Sequence, residues 1–475
     1  MTDVTTLRHA IVEALPEKTS LDGKPLESRH LYVPPAHTKA LRLECPLVIG
    51  TRGVGKSAWT AALCDQALRS NLTTSIPQLA YTDVRIGFSE EPRIEEYPDP
   101  ETFKQLLDAG NSAYDIWRSI MARWLAVPGL PLDTWPATVQ WVKKNPEPLA
   151  RWMQQTNQAL DQKQRYKLIL FDALDRLSHD WKTMDNMVRD LLRAVLWLRP
   201  FHRLFAKVFL REDQDNRTIT NFPDASKLLA TKAELNWARH DLHGLLWQRL
   251  INAPEPHGEC LREIYKRVVG ASPTPLEETW QLPDAVRKET LTQRALFDAL
   301  AGPWMGRDKR RGVPYLWSVG HLADGKGYTS PRSFLAAIRQ AAENSLERYP
   351  DYEYALHYES IKRGIQKASE IRVDEMAEDY PWVRYCMQPL AKVVSVPCGY
   401  NAILQHWERE FPEGPSAIPN KRLPPQHAAG GWEGIREDLV RLGVFLIKQD
   451  SRIDMPDLYR VGFGLGRRGG VKPSK

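Results

Sequence analysis

A chain of 475 residues has room for roughly two to four domains, and 42% hydrophobic with 26% charged residues is ordinary for a globular protein. No apolar run reaches the length of a membrane-spanning helix, and the N-terminus lacks the apolar core of a signal peptide, so we expect no membrane partner. A net charge of +6 permits contact with nucleic acid without demanding it, and five scattered cysteines, never paired as C-x-x-C, indicate a reducing cytoplasm and argue against a zinc site.

The first informative stretch is Gly50–Ser57, with the sequence GTRGVGKS, which fits the pattern G-x-x-x-x-G-K-[ST] at every fixed position. In this pattern a tight glycine turn points backbone N–H groups at phosphates, the lysine reaches the β- and γ-phosphates, and the hydroxyl binds Mg²⁺. An apolar strand, Leu47–Ile49, precedes the motif and a run of helix formers, Ala58–Ala67, follows it. The predicted ATP-binding residues are therefore Gly50, Thr51, Arg52, Gly53, Val54, Gly55, Lys56 and Ser57.

An apolar segment that contains Tyr32 and Val33 lies shortly before this strand. Two interpretations are open. The segment either shelters the adenine base of the nucleotide, or its side chains only pack on the sheet.

The residues after the P-loop helix predict a second strand and then a helical insertion. Residues 80–88 alternate in polarity as a strand does, and an acidic, proline-bearing segment follows. From about residue 90 to 162, apolar side chains recur at spacings of three and four, which is typical of amphipathic helices. Either the insertion serves a partner or a regulatory contact, or its tryptophans pack in a helical layer.

The second chemical landmark is Tyr166–Asp175, YKLILFDALD, an apolar run that ends in an aspartate. Continuous apolar character predicts a strand that is buried on both faces. Asp172 then lies at the carboxyl edge of the sheet, where a Walker B aspartate holds Mg²⁺ together with Ser57. The alternative is that Asp172 only caps the next helix, but the P-loop upstream favours the metal ligand.

The position after Asp172 departs from many ATPases of this class, which place a glutamate there to polarise the attacking water. Here that residue is Ala173. Asp175 is the best remaining acid, and its carboxylate can orient water from a different angle. We predict slow turnover, or a site that works as a switch.

A third core strand is predicted at Phe205–Asp213, and it also ends in polar residues. These residues would lie beside the Walker B strand, where a side chain can sense the γ-phosphate. Arg211 and Glu212 are the candidates, and a surface ion pair is the alternative. Glu234–Trp237 is predicted as the last strand, and it leads into a leucine-rich helix.

These stretches together carry a resemblance. Gly50–Ser57, Leu168–Asp175, KVFLRED and ELNWARHDLHGLLWQRL resemble bacterial P-loop ATPases of the AAA+/STAND assemblage, and more narrowly the KAP-like and origin-recognition-like ATPases of prokaryotic defence and mobile-element loci. The resemblance covers roughly residues 30 to 350, with the C-terminal tail in addition. It implies an ATP-driven conformational switch, often oligomeric, with a helical lid and a C-terminal winged helix.

The lid that this resemblance implies can be placed at Gly327–Leu335, where Ser330 suits an N-cap and Pro331 suits the first helical position. Arg332 follows in the first turn, the place where the lid arginine of AAA+ proteins (sensor 2) approaches the γ-phosphate. The alternative is a solvated arginine. A basic cluster upstream supplies an arginine finger, touches phosphate backbone, or is simply a solvated loop; its members are Arg307, Lys309, Arg310 and Arg311.

The end of the chain is predicted to form a helix followed by a β-hairpin, the order found in a winged helix. No base-reading helix can be identified, so we expect any DNA binding to be weakly specific. A winged helix that makes protein contacts is the alternative. The cations that suit phosphate contacts are Arg452, Arg460, Arg467, Arg468 and Lys472.

The predicted fold is α/β, an ASCE-type P-loop NTPase parallel sheet with a helical insertion, a helical lid and a C-terminal winged-helix domain. We expect a nucleotide-binding domain at residues 1–250, a lid and helical region at 251–395, and a linker plus winged helix at 396–475. The predicted catalytic residues are Asp172, Asp175, Arg211 and Arg332, and the predicted metal ligands are Ser57 and Asp172.

The leading predicted function is an ATPase switch or motor subunit of a bacterial defence or mobile-element system. We expect the protein to act with an effector or regulatory protein and to form a homo-oligomer. The alternatives are a DNA-binding regulator or loader that nucleotide controls, and a scaffold that binds ATP without hydrolysing it.

Overall fold

A computed structural model describes residues 3–15, 27–215, 218–276, 279–288, 290–419, 422–469 and 471–473. Within these residues the chain divides into two compact units. The P-loop unit contains residues 33–236, and the helical unit contains residues 3–15, 27–32 and 237–473. The predicted domain boundaries at residues 250 and 395 stay predictions.

The α-helices and β-strands before residue 237 are α1 (Val4–Ala14), α2 (Thr38–Leu41), β1 (Leu47–Gly50), α3 (Lys56–Cys64), α4 (Gln66–Leu72), β2 (Thr82–Phe88), α5 (Pro100–Asp108), α6 (Ala113–Trp124), α7 (Trp135–Lys144), α8 (Pro146–Gln162), β3 (Tyr166–Phe171), α9 (Trp181–Leu198), β4 (Leu204–Arg211), α10 (Ser226–Leu229) and β5 (Ala233–Glu234). The later ones are α11 (Arg239–Ile251), α12 (Gly258–Val269), β6 (Thr274–Leu276), β7 (Thr279–Gln281), α13 (Leu291–Ala301), α14 (Pro314–Gly320), α15 (Pro331–Arg348), α16 (Tyr358–Asp379), α17 (Pro381–Met387), α18 (Tyr400–Glu410), α19 (Gly431–Arg441), β8 (Leu446–Ile447), β9 (Ile453–Asp454) and α20 (Asp457–Arg460).

The P-loop unit is built on a five-stranded parallel sheet with the strand order β2-β3-β4-β1-β5. A parallel sheet is covered on both faces, which is why β1 and the second half of β3 are continuously apolar and fully buried. The strand β4 lies between β1, which leads into the P-loop, and β3, which leads to Asp172. An additional strand between the P-loop strand and the Walker B strand defines the ASCE arrangement. The predicted fold class is therefore confirmed.

The helix α6, within the predicted insertion, packs on the sheet. The side chain of Trp117 is completely buried, and its indole donates a hydrogen bond to the carbonyl of Met187 in α9 at 2.9 Å. Its ring contacts Phe88 at the end of β2 and Phe171 at the end of β3. For this tryptophan the packing interpretation is therefore correct, and α6 is part of the layer that supports the Walker B strand.

The side chain of His37 is completely buried in the P-loop unit and connects α3 with the end of β5. Its Nε2 lies 3.0 Å from the backbone oxygen of Asn236, and its Nδ1 lies 3.2 Å from the indole nitrogen of Trp59 in α3. A carbonyl only accepts and an indole only donates, so this geometry requires a neutral ring with its proton on Nε2. Burial lowers the pKa of His37 from 6.5 to about 4.

This histidine makes the stability of the P-loop unit depend on pH. We expect the free energy of unfolding to fall as the pH decreases from 6.5 to about 4, because the unfolded chain binds a proton there that the folded chain does not. The contribution is about 1.4 kcal/mol per pH unit. Denaturant unfolding across this interval should show a smaller pH slope in His37→Gln than in the wild type. The matched control is His179→Gln at an exposed histidine of the same unit, which should keep the wild-type slope. Equal slopes in wild type and His37→Gln would contradict the prediction.

The helical unit contains the N-terminal helix α1, which packs with α15 and α12. Arg8 of α1 has no exposed surface, and its guanidinium donates hydrogen bonds to the carbonyls of Pro350 and Ala355, each at 3.1 Å. It also reaches the carbonyls of Tyr352 and Tyr354. The arginine thus donates to four backbone oxygens of the loop between α15 and α16, among them that of the buried residue Ala355.

Tyr32 belongs to the helical unit, whereas the five-stranded sheet belongs to the P-loop unit. Its hydroxyl donates to Asp241 at 3.2 Å, and its ring stacks on Trp237 with centroids 6.2 Å apart. A Cβ at Gly244 would come within 2.5 Å of the Tyr32 hydroxyl, so glycine makes room for this tyrosine. Both interpretations of the segment that contains Tyr32 and Val33 stay predictions.

The C-terminal part of the helical unit follows the predicted order. Helix α19 is followed by the antiparallel hairpin β8–β9, as expected for a winged helix. The Ser330 hydroxyl caps α15 by accepting from the Ser333 N–H at 3.2 Å, as predicted. In the part of the chain that the structure describes, none of the helices combines the length and the apolar character that crossing a membrane requires.

Candidate functional site

The sheet order brings three predicted site residues to one edge. Gly50 ends β1, Arg211 ends β4 and Asp172 directly follows β3. Gly50 and Arg211 are register partners in neighbouring strands. In open parallel sheets, ligands bind outside the carboxyl ends of the strands, and these three residues lie at that edge.

Two positions in the loop from Gly50 to Lys56 have a backbone conformation that only glycine adopts without strain. Gly53 and Gly55 adopt φ angles of 78° and 106°, in the left-handed region that side chains disfavour. Gly55 directly precedes α3, whose first residues are Lys56 and Ser57. The N–H groups at this helix N-terminus have no partners within the helix, which suits them to an anion.

Gly50 is required for a different reason, which is close packing. A Cβ at this position would lie 2.6 Å from Cγ1 of Val54, inside the P-loop itself. We expect Gly50→Ala to displace the loop and to weaken triphosphate binding by about tenfold, since overpacking costs about 1–3 kcal/mol. Titration calorimetry with a non-hydrolysable ATP analogue measures this change. The double variant Gly50→Ala/Val54→Ala removes the clashing methyl group and should recover part of the affinity. An unchanged affinity in Gly50→Ala would contradict the clash.

Lys56 lies inside the turn of its own loop. Its ammonium donates to the carbonyls of Gly50 at 2.9 Å and Thr51 at 3.0 Å. Burial, and secondarily the positive charge of Arg211, lowers the pKa of Lys56 to about 8, against the attraction of nearby aspartates. The cation is therefore poorly solvated, and an anionic ligand would stabilise its charged form.

Asp172 is 5% exposed, and its carboxylate faces the P-loop helix. Its Oδ2 accepts from the Thr60 hydroxyl of α3 at 3.2 Å, and its Oδ1 accepts from the Ala173 N–H at 2.8 Å. Burial raises the pKa of Asp172, and the charge of Lys56 and a hydrogen bond from Ser57 partly offset this rise. A buried carboxylate that faces a serine hydroxyl is a ligand set suited to a divalent cation.

Asp175 lies one short turn further on, in the 3₁₀ helix Leu174–Arg176. Its Oδ2 is 3.3 Å from Nη1 of Arg211, and the same guanidinium also contacts Asp213. Ala173, which replaces the usual glutamate, has φ 55° and ψ 31° in the left-handed region. This backbone turns the chain so that Asp175 reaches the end of β4.

Arg332 lies in the helical unit, in the first turn of α15. Its Nη1 is 2.6 Å from Oε1 of Glu375 in α16, and this glutamate also pairs with Arg372. Arg332 therefore pairs with a buried glutamate and is not simply solvated. Its approach to a γ-phosphate stays a prediction.

The structure corrects one expectation for the basic C-terminal region. Arg460 is 1% exposed and is held by Asp457 and by the carbonyls of Leu465 and Val471. This cation is part of the core of the helical unit and does not offer its charge to phosphate. Arg467 pairs with Asp457 as well. Arg452, Arg468 and Lys472 are exposed, and Arg452 pairs with Asp450 at 2.7 Å.

The sequence analysis did not identify two residues of the site, Thr60 and Asp213. Thr60 is one helical turn after Lys56, so its position was predictable from the spacing of α3. Asp213 follows the β4 strand in the stretch Arg211–Asp213, and a third acid at the carboxyl edge of the sheet could have been noticed there. The contact of Thr60 with Asp172 depends on how α3 lies against β3, which local patterns do not show, whereas Asp213 meets Arg211 within one short stretch.

The residues present fit a nucleoside triphosphate with Mg²⁺. Glycines shape the loop, and Ser57 and Asp172 offer oxygen ligands. Among the described residues, no three His, Cys, Asp or Glu side chains come together as a metal site. One carboxylate and one hydroxyl, completed by substrate phosphates and waters, form the kind of ligand set in which proteins usually hold Mg²⁺.

Comparisons with known proteins add little to this site. No family model matches the sequence, and no curated protein matches it significantly. Among solved structures, the chain is similar to the ORC2 protein of Aeropyrum pernix in ADPNP–ADP complexes, with 11% identity, a TM-score of 0.43 and coverage of 92% of this chain and 94% of that chain. It is also similar to the ADP form of that protein, with 11% identity, a TM-score of 0.31 and coverage of 86% and 82%. At these values the similarity carries no functional weight, and the α/β fold rests on this chain's own strand order.

Proposed function

We propose that the P-loop unit binds ATP with Mg²⁺ and hydrolyses it. The observation that carries this proposal is the meeting of Lys56, Ser57 and Asp172 at the carboxyl edge of the sheet, which the order β3-β4-β1 produces. If the glycine turn had arisen by chance, we would not expect a buried carboxylate beside it at the end of β3, two strands away from β1.

The phosphate-binding roles follow from the loop geometry. The backbone of Gly50–Gly55 and the ammonium of Lys56 bind the β- and γ-phosphates, and Lys56 exchanges its carbonyl partners for phosphate oxygens. Ser57 and Asp172 would hold Mg²⁺. When bound, the ion neutralises charge that develops on the phosphate oxygens.

The hydrolytic step uses Asp175. A water oxygen attacks the γ-phosphorus, and Asp175 orients this water and accepts its proton. The bond from the γ-phosphorus to the β–γ bridging oxygen breaks, and that oxygen keeps the electron pair, so ADP and inorganic phosphate leave. Arg211 senses the γ-phosphate and reports the nucleotide state, and a sensor role for Arg332 stays a prediction.

The biological role we propose is an ATP-driven switch in a bacterial defence or mobile-element system, acting with a partner effector. It is supported by the resemblance to AAA+/STAND, KAP-like and origin-recognition-like ATPases alone. Two other functions have one supporting observation each. The exposed cations Arg468 and Lys472 favour a DNA-binding regulator or loader, and Ala173 in place of a glutamate favours a scaffold that binds ATP without turnover.

Steady-state ATP hydrolysis of the full chain, with and without double-stranded DNA, tests the proposal beside Asp175→Ala. We expect turnover that requires Mg²⁺ and falls by about 100-fold in Asp175→Ala, the size of a general-base contribution. Stimulation by DNA that is lost as salt rises would favour the loader. Tight ATP binding without turnover under either condition would favour the scaffold, and no nucleotide binding at all would refute the proposal.

A further inference from the structure

Asp213 is a charged residue at the carboxyl edge that the proposed mechanism has not used. It lies in the 3₁₀ helix Glu212–Gln214, directly after β4, and is mostly buried. Its Oδ1 accepts from Nε of Arg211 at 3.3 Å, and its Oδ2 accepts from Nη2 of the same guanidinium at 3.1 Å. Two parallel contacts of this kind fix the plane of a guanidinium as well as its position.

The remaining terminal nitrogen of Arg211 points at Asp175. Nη1 donates to Oδ2 of Asp175 at 3.3 Å. Because the guanidinium is rigid and planar, the two-point contact with Asp213 determines where Nη1 lies. A change at Asp213 would therefore reach Asp175 through Arg211.

The backbone of this turn is also fixed. The N–H of Arg211 donates to Oε1 of Gln214 at 3.1 Å, and the amide nitrogen of Gln214 contacts the sulfur of Met184 at 3.4 Å. Gln214 is only 2% exposed, so it ties the end of β4 to α9. The backbone of Arg211 is thus held in place by Gln214, and Asp213 orients its guanidinium.

We infer that Asp213 is a positioning residue that holds Arg211 against Asp175 and thereby couples the water-orienting carboxylate to the γ-phosphate. This inference rests on the proposed ATP hydrolysis. The γ-phosphate of ATP competes with Asp175 for Nη1, so Asp175 is released to orient water when a triphosphate is bound. ADP has no γ-phosphate and leaves the Arg211–Asp175 pair intact.

The test is Asp213→Asn in the full chain, with Asp215→Asn as the matched control. Asp215 lies in the same loop, but its carboxylate pairs with Lys232 at 2.9 Å. We expect kcat for ATP to fall by about 10- to 100-fold in Asp213→Asn, the cost of a small misplacement of catalytic groups. The dissociation constant for ADP should stay at its wild-type value, and the preference for a non-hydrolysable triphosphate analogue over ADP should shrink. Asp215→Asn should match the wild type in each of these measurements.

Two further variants test how Asp213 acts. Asp213→Glu keeps the carboxylate at a shifted position, so its kcat should lie between those of Asp213→Asn and the wild type. If Asp213→Asn does not fold, Asp213→Glu alone tests the inference, and its kcat should be lower than that of the wild type. In an Arg211→Gln background, Asp213→Asn should cause no additional loss, because both changes remove the same interaction.

Wild-type kcat in Asp213→Asn would overturn this inference and leave the proposed ATPase intact. A loss of ADP affinity parallel to the loss of kcat would also overturn it, because Asp213 would then only support the fold of the site. A wild-type chain that neither binds nor hydrolyses ATP would refute the proposed function, and the inference with it.

Discussion

Lys56→Ala should abolish ATP turnover and weaken the binding of a non-hydrolysable ATP analogue by about 100-fold. The ammonium makes two carbonyl contacts that phosphate oxygens would replace with charge-assisted hydrogen bonds, each worth about 1.5–3 kcal/mol. The melting temperature without ligand should not fall, because the folded chain holds this cation in a poorly solvated place. Titration calorimetry and thermal unfolding of the same samples give both quantities.

The control for this variant is Lys39→Ala, also in the P-loop unit. The Lys39 side chain is exposed at the surface, and its ammonium donates to the carbonyl of Lys232. Its removal should leave the affinity and the turnover at wild-type values. Retained turnover in Lys56→Ala would show that the phosphate is not bound by the P-loop.

Asp172→Asn should lower kcat by about 1000-fold or more at saturating Mg²⁺, since the amide cannot supply the negative charge that the metal ion requires. Binding of the nucleotide in the presence of a chelator should change little. The unliganded protein should keep or gain stability, because a carboxylate that is only 5% exposed costs free energy that an amide avoids. The hydrogen bonds from Thr60 and Ala173 need only one acceptor oxygen each, and relaxation allows the asparagine to keep one of them.

Asp83→Asn provides the comparison for Asp172→Asn. Asp83 lies near the start of β2, away from the carboxyl edge, and pairs with Lys167 at 2.8 Å. Its substitution should reduce neither kcat nor the Mg²⁺ dependence of turnover. If Asp172→Asn and Asp83→Asn lost equal amounts of activity, Asp172 would have no special role as a metal ligand.

The sequence predicts the sheet and the P-loop well because their signals are local. A buried parallel strand needs continuous apolar residues, and Leu168–Phe171 shows them without reference to any other part of the chain. The glycine loop is fixed by backbone sterics, which a short motif encodes completely. The position of Asp172 then follows from the strand that it ends.

The charge network could not be predicted in the same way. The contact of Arg211 with Asp175 depends on β3 and β4 being neighbours, which strand patterns alone do not determine, whereas its contact with Asp213 lies within one short stretch. The prediction for Arg460 was wrong because it expected an exposed cation that could contact phosphate. A cation near a chain end looks solvated in the sequence, yet here a buried aspartate and two carbonyls surround it, because the chain folds back over α20.

The division of the chain also has a consequence for its synthesis. Arg8 of α1 finds its carbonyl partner Pro350 at a separation of 342 residues, with the whole P-loop unit encoded between them. At about 5–20 residues per second, the ribosome needs roughly 20–70 s to make that interval. The P-loop unit can therefore fold while α1 is still without its partners. Helix α1 is thus made well before its partners and reaches its native place only after they have emerged, and its apolar face is exposed to chaperones in the meantime.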